Sequence, residues 1–195
     1  QVVHIKTDSI KIPNATPEDI SFVSEFGKQY GYDFEHEATY EKFALFNDAV
    51  YVARKDGVWS ATGKQFLEPY TFKTLFTEDE IEFEDFFEPR SVVKGSIYLD
   101  FNKDLDRKDG FTADDETRFI GRTGVFVPVM DGCGGGALYR VVDDKAYAVP
   151  DTKGYLWKEA VVAKRDEIDM SFFEKKIDKA MAAIGQFGTY EGLMS

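Results

Sequence analysis

Asp8 is the residue whose type and position best suit metal chemistry in this chain. It lies with Thr7 and Ser9 in a short polar link between two strand-like apolar runs at 2–5 and 10–12, a pattern typical of a β-hairpin. A carboxylate beside such a turn can project into a cleft and bind Mg²⁺, which prefers one or two carboxylates together with water and phosphate oxygens. The alternative is an ordinary turn aspartate, since this residue type tolerates turn geometry.

A second candidate is the acidic stretch at 100–110. A calcium loop needs oxygen ligands at positions one, three and five and a glycine at position six. Counting from Asp104 puts Lys108 at position five, and counting from Asp100 puts Leu105 at position six, so neither register fits. We interpret the stretch as a solvated acidic loop, with calcium binding as a minor alternative.

The glycine-rich run at 132–136 contains the single cysteine, Cys133. Glycine-rich loops bring backbone N–H groups close to phosphates, but no Gly-Lys-Ser/Thr sequence and no helix start follows here. A connection between strands is the preferred interpretation. The only histidines, His4 and His36, fall in strand-like patterns, so Cys133 lacks a catalytic partner and a zinc site is not expected.

The elements that would position Asp8 occupy residues 1–60. Thr16 and Pro17 form a typical helix start, and apolar residues spaced by three and four predict a helix over 17–30. Residues 32–54 are predicted as strands, because aromatic residues alternate with acidic ones and two apolar runs follow. The order is therefore ββαβββ, an α+β arrangement of antiparallel strands with one covering helix.

The remaining residues, 61–195, predict a mixed α/β region. A helix is expected over 61–76, strands follow Arg118, and the spacing of apolar residues predicts a closing helix over 171–187 with Ser171 as its cap. Between them, residues 78–116 hold 14 acidic and five basic residues and read as an acidic insertion.

Composition limits the class of protein. Among 195 residues, 43% are hydrophobic and 15% aromatic, which excludes a disordered chain and allows one large or two small domains. No apolar run approaches the roughly 18 residues of a membrane span, so no membrane partner is expected. One cysteine excludes a disulfide framework.

The segment Val3–Ile10, which contains Lys6-Thr7-Asp8-Ser9, resembles the third palm motif of family B DNA polymerases, a hairpin reading Tyr-x-Asp-Thr-Asp-Ser. Family B palms continue with a helix, a strand of the type found at 40–43 and a Lys-x-Tyr strand, which corresponds to 49–51. The rest of the chain is similar to the C-terminal part of bacteriophage-type members. The stretches that carry this likeness are 61–66, 69–76, 132–136 and 152–157.

The resemblance implies roles for single residues. Asp8 corresponds to the motif aspartate that binds the catalytic metals, and Lys6 stands where the family has its other, less essential aspartate. Tyr51 corresponds to the tyrosine that supports the primer–template minor groove, and Ala49 replaces the lysine of that motif.

The resemblance also implies an organisation. Residues 1–60 would be the C-terminal part of an antiparallel palm-type sheet, and residues 61–195 would be a thumb-like domain that grips DNA. Charge alone makes Lys64, Lys73, Arg118 and Arg122 candidate phosphate contacts.

The implied activity is two-metal nucleotidyl transfer with Mg²⁺, primer–template DNA and dNTPs. A second metal-binding aspartate and the basic helix of the fingers would lie upstream of Gln1, so we expect this chain to be inactive without that N-terminal portion. We expect a truncated, split or fragmented polymerase that acts in the cytoplasm of an infected bacterial host.

Two other functions remain open. One is a non-catalytic acidic binding module, and the other is a degenerate polymerase-like subunit that only grips DNA, which Lys6 and Ala49 favour. The net charge of −12 argues against generic nucleic-acid binding, because lysine and arginine drive phosphate contacts. However, residues 118–195 hold eleven acidic and eleven basic residues, so the acidity is largely local to 78–116.

Overall fold

The computed structural model of the chain describes residues 2–6, 9–102, 117–150, 152 and 156–195. It has mixed α+β structure, and every strand pairing in these residues is antiparallel. Two units are distinguished: unit 1 comprises Gln1–Glu78 and Asp178–Ser195, and unit 2 comprises Asp79–Ile177. This division differs from the boundary at residue 60 that the sequence suggests.

Unit 1 begins with the expected hairpin. Strands β1 (His4–Lys6) and β2 (Ser9–Lys11) pair from His4↔Lys11 to Lys6↔Ser9 and form a two-stranded sheet. Helix α1 (Pro17–Gln29) follows, and its start is a capping box: the Thr16 hydroxyl accepts from the Asp19 N–H, and the Asp19 carboxylate accepts from the Thr16 N–H.

The residues after α1 correct one prediction. Residues 32–40 contain no strand, although their alternating pattern predicts one. Phe34 instead folds back on α1, where a Cβ placed on Gly27 would lie 2.5 Å from the Phe34 ring. The Ser24 hydroxyl donates to the Phe34 carbonyl at 3.1 Å. This carbonyl is therefore hydrogen-bonded to helix α1 and not to a neighbouring strand.

The aromatic stripe of α1 does not behave as the buried face of a covering helix. Phe22, Phe26 and Tyr30 are spaced by four residues, and between 47% and 66% of each remains exposed. Their rings contact one another along the helix, at 5.7 Å and 5.0 Å between centroids.

A three-stranded sheet completes the first sixty residues, with β3 (Lys42–Asn47), β4 (Val50–Lys55) and β5 (Val58–Thr62) in the order β3-β4-β5. The helix predicted over 61–76 is two short helices, α2 (Lys64–Leu67) and α3 (Pro69–Phe76), because β5 extends to Thr62 and Pro69 starts a new helix.

Aromatic side chains join these helices to the sheet. Phe46 lies 4.6 Å from Phe66 of α2, and Trp59 lies 5.4 Å from Phe76 of α3, measured between ring centroids. Phe187, from the C-terminal part of unit 1, contacts Phe46 at 5.8 Å. The last helix, α5 (Tyr190–Met194), also belongs to unit 1.

Unit 2 contains two sheets. The four-stranded sheet has the order β11-β10-β7-β8, and the three-stranded sheet has the order β12-β9-β6. The strands are β6 (Glu88–Ser91), β7 (Ser96–Asp100), β8 (Thr117–Gly121), β9 (Thr123–Val129), β10 (Ala137–Val142), β11 (Lys145–Ala148) and β12 (Leu156–Glu159). Short 3₁₀ turns lie at Phe83–Phe86, Ala160–Val162 and Arg165–Glu167.

Trp157 is at the centre of the core of unit 2. It is fully buried, and its ring meets Phe126 and Phe172 edge to face at 6.2 Å and 5.3 Å. Helix α4 (Met170–Gly185) supplies Phe172, and the division between the units falls within this helix. The Asp169 carboxylate accepts from both the N–H and the hydroxyl of Ser171, so Asp169 provides the cap expected from Ser171.

The acidic insertion at 78–116 contributes strands and buried carboxylates. Strands β6 and β7 lie within 78–116, and Asp85, Glu88 and Asp100 are 7%, 3% and 1% exposed. The Asp100 carboxylate accepts from the backbone and side-chain N–H groups of Asn102 at 3.0 Å and 2.9 Å. A solvated loop at 100–110 is therefore wrong for Asp100, and its part from residue 103 lies outside the described residues.

The glycine-rich run is a connection between β9 and β10, as expected. Gly136 exchanges two backbone hydrogen bonds with Trp157, at 2.8 Å and 2.9 Å. A Cβ at Gly136 would lie 2.4 Å from the Asp100 carbonyl oxygen, so glycine is needed there because two backbones approach closely. In the part of the chain that the structure describes, no helix has the length and apolar character to cross a membrane.

Candidate functional site

The predicted metal site lies in the link of the β1–β2 hairpin. Lys6 and Ser9 are the last directly opposed pair of β1 and β2, and Thr7 and Asp8 separate them in the sequence. Thr7 and Asp8 lie outside the described residues, and for Lys6 only the backbone is described. Ser9 is half-buried in β2. The metal-binding role of Asp8 therefore stays a prediction from the sequence.

His4 ties the hairpin to the three-stranded sheet. Its side chain is buried, with 5% of the residue exposed, and Nε2 lies 3.1 Å from the carbonyl oxygen of Asp48 in the β3–β4 turn. Because a carbonyl can only accept, Nε2 carries the hydrogen. Nδ1 is buried and has no hydrogen-bond partner among the described residues. The sequence pattern marks His4 only as a strand residue, so this link is not foreseen.

Tyr51 lies in β4 beside this link. Its ring stacks on Phe43 at 5.1 Å and lies 6.5 Å from the His4 ring. Tyr40 contacts Phe43 at 5.6 Å. We call His4, Tyr40, Phe43 and Tyr51 the hairpin-base cluster. It brings the predicted minor-groove residue, Tyr51, to the root of the hairpin whose link contains Asp8.

The environment of the cluster changes the acidity of Tyr40. Burial raises the pKa of the Tyr40 hydroxyl, and the neighbouring Tyr51 and Glu37 raise it further. The Lys11 ammonium lies 5.6 Å from the centre of the Tyr40 ring, a cation–π distance. The Tyr40 hydroxyl therefore remains a neutral hydrogen-bond donor at physiological pH.

Lys64 and Lys73 lie on the other side of the three-stranded sheet from Tyr51. Side chains alternate between faces along β4 and β5, so Tyr51 points to one face and Trp59, opposite Arg54, points to the other. Helices α2 and α3 cover the Trp59 face. Lys64 is exposed at the start of α2, and Lys73 is half-buried within α3.

Arg118 and Arg122 belong to unit 2. The Arg118 guanidinium forms an ion pair with the Glu159 carboxylate at 3.1 Å, so part of its charge is already compensated. Arg122 is exposed in the bend between β8 and β9, and its carbonyl accepts from the Val92 N–H at 2.9 Å. All four predicted phosphate contacts remain predictions.

The described residues do not form a metal site by themselves. Among them, no group of three or more His, Cys, Asp or Glu side chains is arranged to hold a metal ion. The expectation of Mg²⁺ therefore rests on Asp8, which lies outside the described residues, and on the polymerase resemblance.

Comparisons with known proteins leave the family open. Neither the models of protein families, nor the curated proteins, nor the solved structures include a match to this chain.

Proposed function

We propose that this chain is the C-terminal part of a template-directed DNA polymerase of the bacteriophage-type family B. In this proposal residues 1–60 complete a palm, and residues 61–195 form a thumb-like region that grips primer–template DNA. The chain acts with an N-terminal portion that supplies the exonuclease, the fingers and the rest of the palm, in the cytoplasm of an infected bacterial cell.

The observation that carries the proposal is the position of Asp8 in the order of elements. The chain runs β1, β2, α1, β3, β4, β5, in which β5 rather than a strand over 32–40 supplies the last member, and Asp8 separates two strands that pair in an antiparallel register. His4 then ties the root of this hairpin to the sheet that carries Tyr51. A metal-binding carboxylate and a minor-groove tyrosine on neighbouring elements suit a polymerase palm.

The hairpin itself supports the need for a partner portion. Among the described residues β1 and β2 form a sheet of only two strands, and an isolated ribbon of this size is marginally stable in water. A further strand beside the hairpin would stabilise it and could carry the second metal-binding aspartate. This is the part that we assign to the N-terminal portion.

Each of the candidate residues has its own role in this proposal. Asp8 would hold Mg²⁺, which when bound supplies activation of the primer 3′-hydroxyl and stabilisation of the pyrophosphate that leaves. Tyr51 would support the primer–template minor groove, held in place by its stacking on Phe43. Lys64, Lys73, Arg118 and Arg122 would contact phosphates, which orients the duplex without reading its sequence.

Primer extension tests this proposal. The chain alone, with Mg²⁺, dNTPs and a primed template, should show no extension, and the chain produced together with its N-terminal portion should extend the primer. Extension by the chain alone would overturn the claim that it is incomplete. No extension by the combined protein, with any divalent metal, would overturn the polymerase assignment.

Two matched substitutions then test the metal assignment. Asp8→Asn keeps the shape of the side chain but removes the charge, and should reduce extension by on the order of a hundredfold, the scale of losing one charge-stabilising group from a preorganised site. Asp56→Asn is the control, because Asp56 occupies the β4–β5 turn at φ +52, a conformation that asparagine also adopts. Equal rates for the two variants would remove Asp8 from the catalytic site.

The second candidate function is a degenerate subunit that grips DNA without catalysis. Lys6 and Ala49 favour it, because each replaces a functional residue of the motif that the chain resembles. Lys6→Asp distinguishes the two functions. In an active polymerase, this substitution should increase the metal-dependent rate of primer extension. In a degenerate subunit, the variant should still bind duplex DNA and should still show no primer extension.

A further inference from the structure

We propose that the aromatic stripe of α1, formed by Phe22, Phe26 and Tyr30, is a docking surface for the N-terminal portion of the protein. The partner surface would meet the stripe with apolar side chains and would carry lysine or arginine at its border. The identity of this partner rests on the proposed function. The docking surface itself does not depend on Asp8 or on catalysis.

Helix α1 packs on the rest of unit 1 through a different set of residues. Ile20 and Val23 are half-buried and Gly27 is buried, and their spacing of three and four places them on one side of the helix. The ring of Phe34 lies against Gly27 on that side. The aromatic stripe occupies the adjacent side, so α1 is attached to unit 1 without it.

The aromatic stripe is a contiguous apolar patch. Even Phe26, which lies between the other two residues, is 47% exposed. Within the described part of the chain, the aromatic contacts of the three rings are with one another. Single apolar residues on a surface need no explanation, whereas contiguous patches of this kind mark interaction sites.

Acidic residues border the stripe. Glu18 precedes Phe22 by four residues and Glu25 follows it by three, so both carboxylates lie along one margin of the stripe. Both residues are exposed, and neither forms an ion pair with a described residue. The single lysine of the helix, Lys28, follows Phe26 by two residues and therefore points to nearly the opposite side. Residues 14–41 as a whole hold seven acidic residues and one basic residue.

This pairing of apolar surface and negative charge selects the partner. Helices that lie on membranes carry lysine and arginine beside their apolar face, and nucleic acids are held by the same cations, so an acidic border disfavours both. A second copy of this face would bring acidic residues close to acidic residues. A protein surface with a basic border is complementary in charge, and such complementarity favours specific association.

Unit 1 also exposes apolar side chains on its hairpin. Val3 and Ile5 flank the buried His4 along β1 and are 45% and 71% exposed. Because side chains alternate along a strand, they point away from the side on which His4 contacts Asp48. Two exposed apolar faces in one unit suit a palm of which only a part is present in this chain. The proposed function assigns the rest of that palm to the N-terminal portion.

The competing explanation is that the stripe serves α1 alone. Aromatic pairs four residues apart stabilise a helix slightly. That explanation predicts a loss of stability when a ring is removed and no effect on any partner. Unfolding and association measured on the same variants separate the two explanations.

The experiment measures association of the full chain with its separately produced N-terminal portion by isothermal titration calorimetry, without DNA or divalent metal. Phe22→Ala should weaken association by about tenfold or more, as truncation of an aromatic anchor in an interface does. Phe119→Ala is the matched control, because Phe119 of unit 2 is also an exposed phenylalanine, at 62% compared with 65% for Phe22. It should leave the affinity unchanged.

Two further sets of variants report on the border and on the stripe directly. Glu18→Gln combined with Glu25→Gln should weaken association at low salt and reduce its salt dependence, because border charges act mainly through these quantities. Glu174→Gln, at an exposed glutamate of α4, should do neither. The fluorescence of Phe22→Trp should shift to shorter wavelength when the N-terminal portion is added, and that of Phe119→Trp should not.

The failures of this proposal and of the polymerase proposal can be told apart. No association of the unaltered chain, or equal affinities of the Phe22→Ala and Phe119→Ala variants, would overturn the docking surface even if a protein containing both portions extends a primer. A dimer of the chain alone that Phe22→Ala abolishes, seen by sedimentation velocity, would overturn it in favour of a second copy. Association that depends on Phe22, without primer extension by the combined protein, would establish the docking surface and leave the polymerase assignment rejected.

Discussion

His4 is the single described residue that hydrogen-bonds the hairpin to the β3–β4 turn through its side chain. Replacing it with phenylalanine preserves a ring of similar size and leaves the Asp48 carbonyl without its donor. We expect His4→Phe to lower the free energy of unfolding by about 1–2 kcal/mol, the cost of one lost partner for a buried polar group. Urea denaturation measures this cost.

The second histidine is the control for that experiment. His36 is exposed, and its Nε2 lies 3.2 Å from the Thr39 hydroxyl in the same segment. His36→Phe should change stability by less than about 0.5 kcal/mol, as most surface substitutions do. Hydrogen exchange should accelerate at the amides of β1 and β2 in His4→Phe alone. Equal exchange in both variants would show that His4 does not hold the hairpin.

The stability of the start of α1 should depend on pH through the carboxyl group of Asp19. The hydrogen bond from the Thr16 backbone N–H is the main cause that lowers the pKa of the Asp19 carboxyl, and the hydrogen bond from the Thr16 hydroxyl lowers this pKa further. A lowered folded-state pKa gives a contribution to stability that is present above pH 4 and is lost as the pH falls through the folded-state pKa. We expect the protection factors of the amides at the start of α1 to fall below pH 4, and Asp19→Asn to remove that fall. A pH profile unchanged by the substitution would contradict the assignment.

Among the elements, β6 and α4 are joined by a cluster of charges inside unit 2. Glu88 of β6 pairs with Lys176 of α4 and lies 3.8 Å from the guanidinium of Arg90, and the side chain of Glu88 is only 5% exposed. Arg90 in turn lies over the ring of Trp157 at 5.4 Å. One buried carboxylate therefore faces two cations inside unit 2.

This arrangement predicts unequal effects for its two partners. Glu88→Gln removes the buried charge that faces both cations and should destabilise the chain by about 3–5 kcal/mol. Lys176→Met keeps the contact of Arg90 with Glu88 and should cost less. Chemical denaturation of both variants and of the double variant gives the coupling, and a cost for Lys176→Met equal to or above that for Glu88→Gln would contradict this account.

The same cluster explains why some elements could be predicted and others could not. Local patterns suffice for α1, whose cap residues Thr16 and Asp19 are three apart, and for the hairpin, whose partners are a few residues from each other. Glu88 and Lys176 are 88 residues apart, so nothing near Glu88 in the sequence marks its carboxylate as buried. Local sequence therefore gives no sign that the acidic insertion at 78–116 supplies a buried carboxylate.

The strand order of the four-stranded sheet escaped prediction for a related reason. Strand β7 pairs with β10 and β8, and the paired residues Tyr98 and Tyr139 are about forty residues apart in the sequence, so local patterns do not show which strands are neighbours. Residues 32–40 are the opposite case. Their alternation of aromatic and acidic residues is a strand pattern, but Phe34 finds its partner in Gly27 rather than in a neighbouring strand.

For the whole molecule, the main feature is that unit 1 is made from both parts of the chain that flank unit 2. The Tyr190 hydroxyl donates to the Leu75 carbonyl. Burial raises the pKa of this hydroxyl, and the nearby negative charge of Glu191 adds a smaller increase, so the hydroxyl stays protonated. Tyr190→Phe should cost about 1 kcal/mol for the lost hydrogen bond.

Removal of residues 186–195 should cost more, because the contact of Phe187 with Phe46 is lost as well. We expect about 2 kcal/mol, the sum of that hydrogen bond and of the contact of Phe187, which is 64% exposed and so contributes less than a buried aromatic side chain. Ser195→Ala is the control, since its hydroxyl contacts only the Gly192 carbonyl within α5 and its surroundings. Thermal unfolding measures all three, and a truncated chain as stable as the Ser195→Ala variant would show that the C-terminal residues do not complete unit 1.

The split composition of unit 1 has a consequence for the order of events during translation. Residues 1–78 leave the ribosome before unit 2, yet Phe187 and Tyr190, which contact Phe46 and Leu75 in those residues, are synthesised only after unit 2. The nascent chain therefore holds all of unit 2 before it holds all of unit 1, although domains usually form from the N-terminus onward. Exposed aromatic side chains of residues 1–78 would then be the part of a newly made chain that chaperones protect longest.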